Sequence, residues 1–146
     1  MAVASLCGGL ALANAKLGAV HGFASPLCGM FPVPHGMACA RLLPLITEIN
    51  VRAIRARMPN AAAVGRYDEV ARIVTGDASA RAEDAAVWLR ELVAELSVPG
   101  LASYGVKGGD IPRVVAAARQ ASSMQGNPIV LTDADLCEAL GAAIPA

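Results

Sequence analysis

The chain has 146 residues, of which 55% are hydrophobic and 16% charged, and its 12 basic and 12 acidic residues cancel. This length suits one domain, and the hydrophobic share excludes an intrinsically disordered chain. Aromatic residues make up only 3% and no basic stripe occurs, which excludes a nucleic-acid-binding domain. The charged share lies below the roughly one quarter that is usual for soluble domains. We therefore expect that the chain is part of something larger or that a partner covers an apolar face.

The first segment, Val3–Val20, is rich in alanine and leucine with small residues on all sides, which predicts a helix buried on most faces. Its uncharged beginning and the sequence Ala13-Asn14-Ala15 resemble a signal peptide. No basic residue precedes it, however, and Lys16 ends it before the ~20 residues that a membrane span needs. We favour a buried helix, and no membrane association.

The four cysteines form no C-x-x-C pair and show no spacing typical of a secreted disulfide framework. This pattern predicts free thiols in a reducing compartment, and hence a cytoplasmic protein. The cysteines are Cys7, Cys28, Cys39 and Cys137.

The next segment, His21–Gly36, contains three prolines and three glycines, which predicts a shaped loop with little room for a helix. A helix is expected from Met37 to Arg57, with Pro44 causing a kink or a late start. Further helices are predicted at Arg66–Thr75, Ala80–Leu96, Ile111–Ala121 after the cap Asp110, and from the capping box Thr132–Asp135 to about Ala143. The sequence therefore predicts an all-α bundle of about six helices.

His21 and His35 are the two histidines of the chain, and they flank the predicted loop fourteen positions apart. In one continuous helix this offset would separate them by ~21 Å, whereas a loop allows both imidazoles to come within ~2.1 Å of one ion. Two ligands are fewer than the usual three or four. The pattern alone thus leaves open a metal site and a pair of hydrogen-bonded, half-buried imidazoles.

The sequence from Gly18 to Ala24, then Pro26-Leu27 and Pro34-His35-Gly36, and on to Leu42-Leu43-Pro44, resembles the signature of the iron-containing, group III metal-dependent alcohol dehydrogenases. The similarity extends through Tyr67 and Asn127-Pro128 and covers nearly the whole chain.

This resemblance implies the helical, metal-binding C-terminal domain of the dehydroquinate synthase-like fold, with residues 1–146 as a single partial domain. His21 and His35 would be ligands of the catalytic Fe(II) or Zn. Members of the family also have an N-terminal nucleotide-binding domain for NAD(P), and an aspartate and a further histidine complete their metal site.

The sequence departs from that pattern, because it contains neither a D-x-x-x-H pair nor a G-x-G-x-x-G motif. We therefore expect weak or absent metal binding and no catalysis by this chain alone, we assign no catalytic residue, and its cofactor-binding residues stay unknown. Ser25 stands where many family members carry a histidine. Phe23, Ser25 and Phe31 are candidates for a substrate pocket, with core packing as the alternative for the aromatic pair.

Cys28 and Cys39 flank the histidines, where each is either a soft metal ligand or, more commonly for cysteine, a buried thiol. Three functional hypotheses remain open: a truncated dehydrogenase derivative that is catalytically incomplete, a free-standing helical module that self-associates or binds a partner, and one half of a split dehydrogenase. The apolar first segment favours a homo-oligomer joined through Val3–Val20.

Overall fold

A computed structural model describes residues 2–59 and 61–145. Within these residues all regular structure is helical, which confirms the predicted fold class. The α-helices are α1 (Ala2–Asn14), α2 (Ala19–Met30), α3 (His35–Arg57), α4 (Ala62–Thr75), α5 (Ala82–Glu95), α6 (Ile111–Gln120) and α7 (Asp133–Ala143). Short 3-10 turns occupy Leu101–Tyr104, Gly108–Asp110 and Ser122–Gly126.

The predicted loop at His21–Gly36 is wrong for most of its length, because α2 runs from Ala19 through Pro26 to Met30. An internal proline costs a helix ~3 kcal/mol through the lost hydrogen bond and a steric clash. Tertiary packing offsets that cost here, since Phe23 and Leu27 are completely buried on the inner face of α2. The irregular link between α2 and α3 shrinks to the residues around Pro32 and Pro34.

Helix α3 lies at the centre of the fold and packs against α2, α4, α5 and α7. It begins at His35 and continues through the buried Pro44, so the predicted late start is wrong. Its inner face contributes Leu42, Ile46 and Ile54 to the main hydrophobic core. Exposed ion pairs fasten its outer face to the neighbouring helices: Arg52 to Glu138 and Arg57 to Asp135 on α7, Arg55 to Glu83 and Glu48 to Arg90 on α5.

Helix α1 contradicts the expectation of a helix buried on most faces. It has no buried residue, and its large side chains Val3, Leu6, Leu10 and Leu12 are 75%, 64%, 58% and 55% exposed. Val3, Leu6 and Leu10 lie on one face of the helix, but the described part of the chain presents no complementary surface that would bury them. No single described helix has the length and apolarity to cross a membrane. Helices α1 and α2 have that length and apolarity only when taken together, and they meet at a bend of 96°.

Of the caps predicted for the last two helices, the structure confirms one. The capping box before α7 is confirmed: the Thr132 side chain accepts from the Asp135 N–H at 3.1 Å, and the Asp135 carboxylate accepts from the Thr132 N–H at 2.9 Å. Asp110 precedes α6 as predicted but makes no side-chain cap to it. Its carboxylate instead accepts from the Lys107 N–H at 2.9 Å and closes the preceding 3-10 turn.

Candidate metal centre

His21 and His35 come together at the corner where α2 and α3 meet. His21 lies in the first turn of α2 and His35 is the first residue of α3. Their ring centroids are 5.4 Å apart and the ring planes are inclined by 51°. The predicted proximity of the two imidazoles is therefore confirmed, but two packed helices produce it in place of the expected loop.

Cys39 is a third potential ligand at this corner. It follows His35 by one turn of α3, and its Sγ lies 3.5 Å from His35 Nε2. One ligand atom from each of His21, His35 and Cys39 lies within 4.8 Å of the other two. The sequence favoured a buried thiol here, because that is the commoner state of a cysteine. The i, i+4 spacing of His35 and Cys39 would have indicated that the two side chains share a helix face, if the helix had been predicted to begin at His35.

The three side chains differ in exposure, and the thiol has a shifted pKa. His35 is exposed, whereas His21 and Cys39 are half-buried. Burial raises the pKa of the Cys39 thiol, and the neighbouring Cys28 thiol raises that pKa further. Cys39 is consequently a neutral thiol at neutral pH, and an ion that binds its sulfur must displace the proton.

A pair of asparagines fixes the start of α2, and so the position of His21. The Asn127 side chain donates to Asn50 Oδ1 at 2.7 Å and to the Ile129 carbonyl at 2.8 Å, while its own Oδ1 accepts from Asn50 Nδ2 at 3.2 Å. The same Oδ1 accepts from the Ala19 N–H at 3.1 Å, which caps the first turn of α2. Asn50 is almost completely buried, so this network joins α2, α3 and the chain after α6 within the core.

The close approach of the chain near residue 126 completes this support. A Cβ atom at Gly126 would lie 1.8 Å from the Leu17 carbonyl oxygen, and one at Gly18 would lie 3.1 Å from Asn127 Oδ1. Glycine at position 126 therefore lets two backbone segments touch immediately before α2.

A groove of about 590 Å³ leads from His21 and Cys39 between α3, α4 and the Asn127 turn. Its polar lining includes Thr47, Asn50 and Tyr67, with the Tyr67 hydroxyl 3.2 Å from Asn50 Nδ2. Burial raises the pKa of Tyr67, while the hydrogen bond with Asn50 opposes that rise. Tyr67 is thus a neutral hydroxyl at the wall of the groove.

The three pocket candidates are outside the lining of this groove. Phe23 is completely buried in the core, and Ser25 is exposed on α2, one helical turn after His21. Phe31 is half-buried, and the Arg113 guanidinium lies 5.6 Å from its ring centroid. Their assignment to a substrate pocket stays a prediction, to be tested with the rest of the binding cleft present.

Residues 1–144 match the family described as "Fe-containing alcohol dehydrogenase family, C-terminal". The chain is 34% identical over 129 residues to the 1,3-propanediol dehydrogenase of Klebsiella pneumoniae, an alignment that covers 88% of this chain and 32% of that protein. It is also 34% identical to the lactaldehyde reductase of Escherichia coli K12, covering 94% of this chain and 35% of that protein. The chain thus spans about a third of the length of these curated relatives.

Solved structures match the fold of this chain over a similar share of their own length. An alcohol dehydrogenase from Oenococcus oeni superposes with a TM-score of 0.76 at 29% identity, over 92% of this chain and 34% of that one. A crystal structure of 1,3-propanediol oxidoreductase gives a TM-score of 0.74 at 25% identity, over 88% of this chain and 33% of that one. Both matches lie within larger enzymes.

Proposed function

The chain belongs to the iron-containing alcohol dehydrogenase family as its C-terminal helical part, and from this membership we propose that it is the metal-binding third of an alcohol or aldehyde oxidoreductase, incomplete on its own. The observation that carries the proposal is the pairing of His21 and His35, with ring centroids 5.4 Å apart at the α2–α3 corner. Two imidazoles at this separation fit the nitrogen donors that Fe(II) or Zn takes in proteins.

When bound, such a metal ion supplies Lewis acidity that stabilises the oxygen of an alcohol substrate as hydride leaves for NAD(P). The contribution of this chain is to hold two neutral nitrogen ligands and to orient His21 through the Asn127–Asn50 network. The groove beside His21, whose few polar wall residues include Thr47 and Tyr67, would receive part of a small substrate.

We further propose that the chain works with a nucleotide-binding part of the kind that occupies the other two thirds of its relatives. That part would lie on the same chain or on a separate one, as in a split dehydrogenase. The aspartate and the further histidine of the family's metal site would come from a helix that precedes the matched region in these relatives. The four free cysteines support a reducing, cytoplasmic location.

Metal and activity measurements on the purified chain test this proposal. We expect no NAD(P)-dependent alcohol oxidation and, by calorimetric titration with Zn²⁺, one binding event that disappears in both His21→Ala and His35→Ala. The exposed Gln120→Ala variant, on α6 away from the corner, is the matched control and should bind as the wild type does. Turnover of an alcohol by the pure chain, or Zn²⁺ binding that survives both histidine substitutions, would contradict the proposal.

A second function is favoured by α1, whose leucines are exposed along its whole length although it carries no charge. We propose that this helix associates with a second copy of the chain, because water-exposed apolar surface of this extent is unfavourable. Sedimentation of the double variant Leu6→Glu and Leu10→Glu should show a monomer where the wild type forms a dimer or a larger species. Val130→Glu, which alters an isolated exposed valine, should leave the wild-type state unchanged. A wild-type monomer at high micromolar concentration would refute this function.

A further inference from the structure

The corner that holds His21 and His35 contains one donor more than the pair of histidines. Cys39 lies one helical turn beyond His35, and both side chains project from the same face of α3. A cysteine and a histidine at i and i+4 can bind one ion without any change in the backbone, since the helix fixes their spacing.

The distance between the two donor atoms fits tetrahedral coordination. An ion at ~2.1 Å from an imidazole nitrogen and ~2.3 Å from a thiolate sulfur, with a tetrahedral angle between the bonds, separates those donors by ~3.6 Å. The observed distance from His35 Nε2 to Cys39 Sγ is 3.5 Å. The helix therefore presents the pair at the spacing that one bound ion requires.

His21 completes the set from the other helix. Its ligand atom lies within 4.8 Å of those of His35 and Cys39, so a shift of about 1 Å brings the three donors to the ~3.6 Å separations that one ion requires. The Asn127 cap holds the first turn of α2 in place, so the position of His21 beside the other two ligands does not depend on a mobile segment. His35 is exposed, and the fourth direction therefore opens to water.

We propose that Cys39 is a metal ligand and that His21, His35 and Cys39 form a three-donor site that takes a zinc-like ion in preference to Fe(II). The inference rests on the proposed function, because it uses the same two histidines, and it adds the third ligand and the metal class. A thiolate is a soft, anionic donor, which favours zinc over the harder Fe(II) and raises the affinity above that of two imidazoles. Binding replaces the thiol proton by the ion and releases that proton to solvent.

A simple hydrogen bond between the thiol and the imidazole is the competing explanation of the 3.5 Å contact. The two explanations differ in what the removal of sulfur does. If the contact is only a hydrogen bond, removal of the sulfur leaves metal binding by the two histidines in place. If Cys39 is a ligand, its removal also removes one bond to the metal, one negative charge and the thiolate-to-metal charge-transfer band.

Titration of the reduced chain with Co²⁺ and Zn²⁺ under anaerobic conditions separates the two explanations. We expect a near-ultraviolet thiolate-to-cobalt charge-transfer band in the wild type and in Cys28→Ala, the matched control for a half-buried cysteine of the same corner. The band should be missing in Cys39→Ala, and the dissociation constant for Zn²⁺, measured against a chromophoric chelator, should rise at least roughly ten- to a hundredfold. The dissociation constant for Fe²⁺ should change less.

The outcomes divide this inference from the proposed function. Zn²⁺ affinity that is unchanged in Cys39→Ala but lost in His21→Ala overturns the role of Cys39 and leaves the two-histidine site standing. Affinity that is unchanged in Cys39→Ala, His21→Ala and His35→Ala overturns both. If Cys39→Ala fails to fold by circular dichroism, Cys39→His replaces it, since imidazole at this position should retain Zn²⁺ and lose the thiolate band.

Discussion

Helices α1 and α2 are both apolar and are consecutive in the chain, but only α2 is buried in the core. Helix α1 buries none of its residues, whereas α2 buries Ala19, Gly22, Phe23, Ala24 and Leu27 and carries His21, one of the proposed metal ligands. Hydrophobic content therefore does not decide which helix joins the core. What distinguishes α2 is the surface that it meets. Phe23 and Leu27 pack where α2 contacts α3 and α6, whereas Leu6 and Leu10, which have the same spacing, are not buried.

The second difference is polar anchoring. The start of α2 is tied to the Asn127–Asn50 pair, whose donors and acceptors are used within the fold. Helix α1 has one side-chain hydrogen bond, from Asn14 to the Leu10 carbonyl within the same helix. A helix held by a distant buried amide keeps a fixed position, which a metal ligand needs.

The largest expected effect on this contrast comes from removing one apolar side chain from each helix. Phe23→Ala should lower the free energy of unfolding by ~3–5 kcal/mol, because the ring is completely buried and leaves a cavity. At concentrations where the chain is monomeric, Leu6→Ala should change it by less than ~0.5 kcal/mol, because Leu6 is 64% exposed in the single chain. Urea denaturation followed by circular dichroism measures both. Equal losses in the two variants would show that α1 packs in solution.

A smaller effect is expected from adding one methyl group to a glycine in each region. At Gly126 the new Cβ would lie 1.8 Å from the Leu17 carbonyl, so the backbone must shift and Gly126→Ala should lose ~1–3 kcal/mol of stability. At Gly8 nothing lies within 4 Å, and Gly8→Ala should instead stabilise α1 locally by ~0.5–1 kcal/mol. Urea denaturation tests the first variant and amide hydrogen exchange within α1 the second. An unchanged stability of Gly126→Ala would mean that the two segments do not touch.

The smallest expected effect concerns ion pairs between helices. Helix α1 contains no charged residue, whereas arginines of α3 pair with carboxylates of α7. Burial alone would raise the pKa of Asp135, but its hydrogen bonds with Thr132 and the nearby Arg57 guanidinium hold that pKa below its ordinary value. The Arg52 side chain lowers the pKa of Glu138 in the same way. A carboxyl whose folded pKa is depressed adds stability above its unfolded pKa and loses it as the pH falls through the folded value.

Stability should therefore decline as the pH drops below the ordinary aspartate pKa of ~3.9. Asp135→Asn should flatten part of that decline, as measured by urea midpoints between neutral and acid pH. Removal of α1 by deleting residues 2–14 should leave the acid profile of the remaining fold unchanged, since this helix contains no ionisable carboxyl. A profile that Asp135→Asn does not alter would exclude the α7 cap as its source.

The sequence by itself determined the fold class, the later helices, the capping box of Thr132 and the pairing of two histidines by family resemblance. The helices and the capping box have local causes: a periodic apolar stripe, a side-chain cap, and a glycine with φ of 72° at position 76 that ends α4. Local rules misread His21–Gly36, because prolines and glycines predict a loop whatever surrounds them. Only the packing of Phe23 and Leu27 against the core turns this segment into a helix.

The tertiary structure alone decided two further matters. It brought Cys39 to the histidines, since the helix start at His35 follows from how α2 and α3 pack and sets which residues share a face. It also left α1 exposed although its composition predicts burial. Burial depends on a complementary surface elsewhere, and the described part of the chain presents none to α1. A sequence records how apolar a segment is, whereas the surface that covers it lies in other segments or other chains.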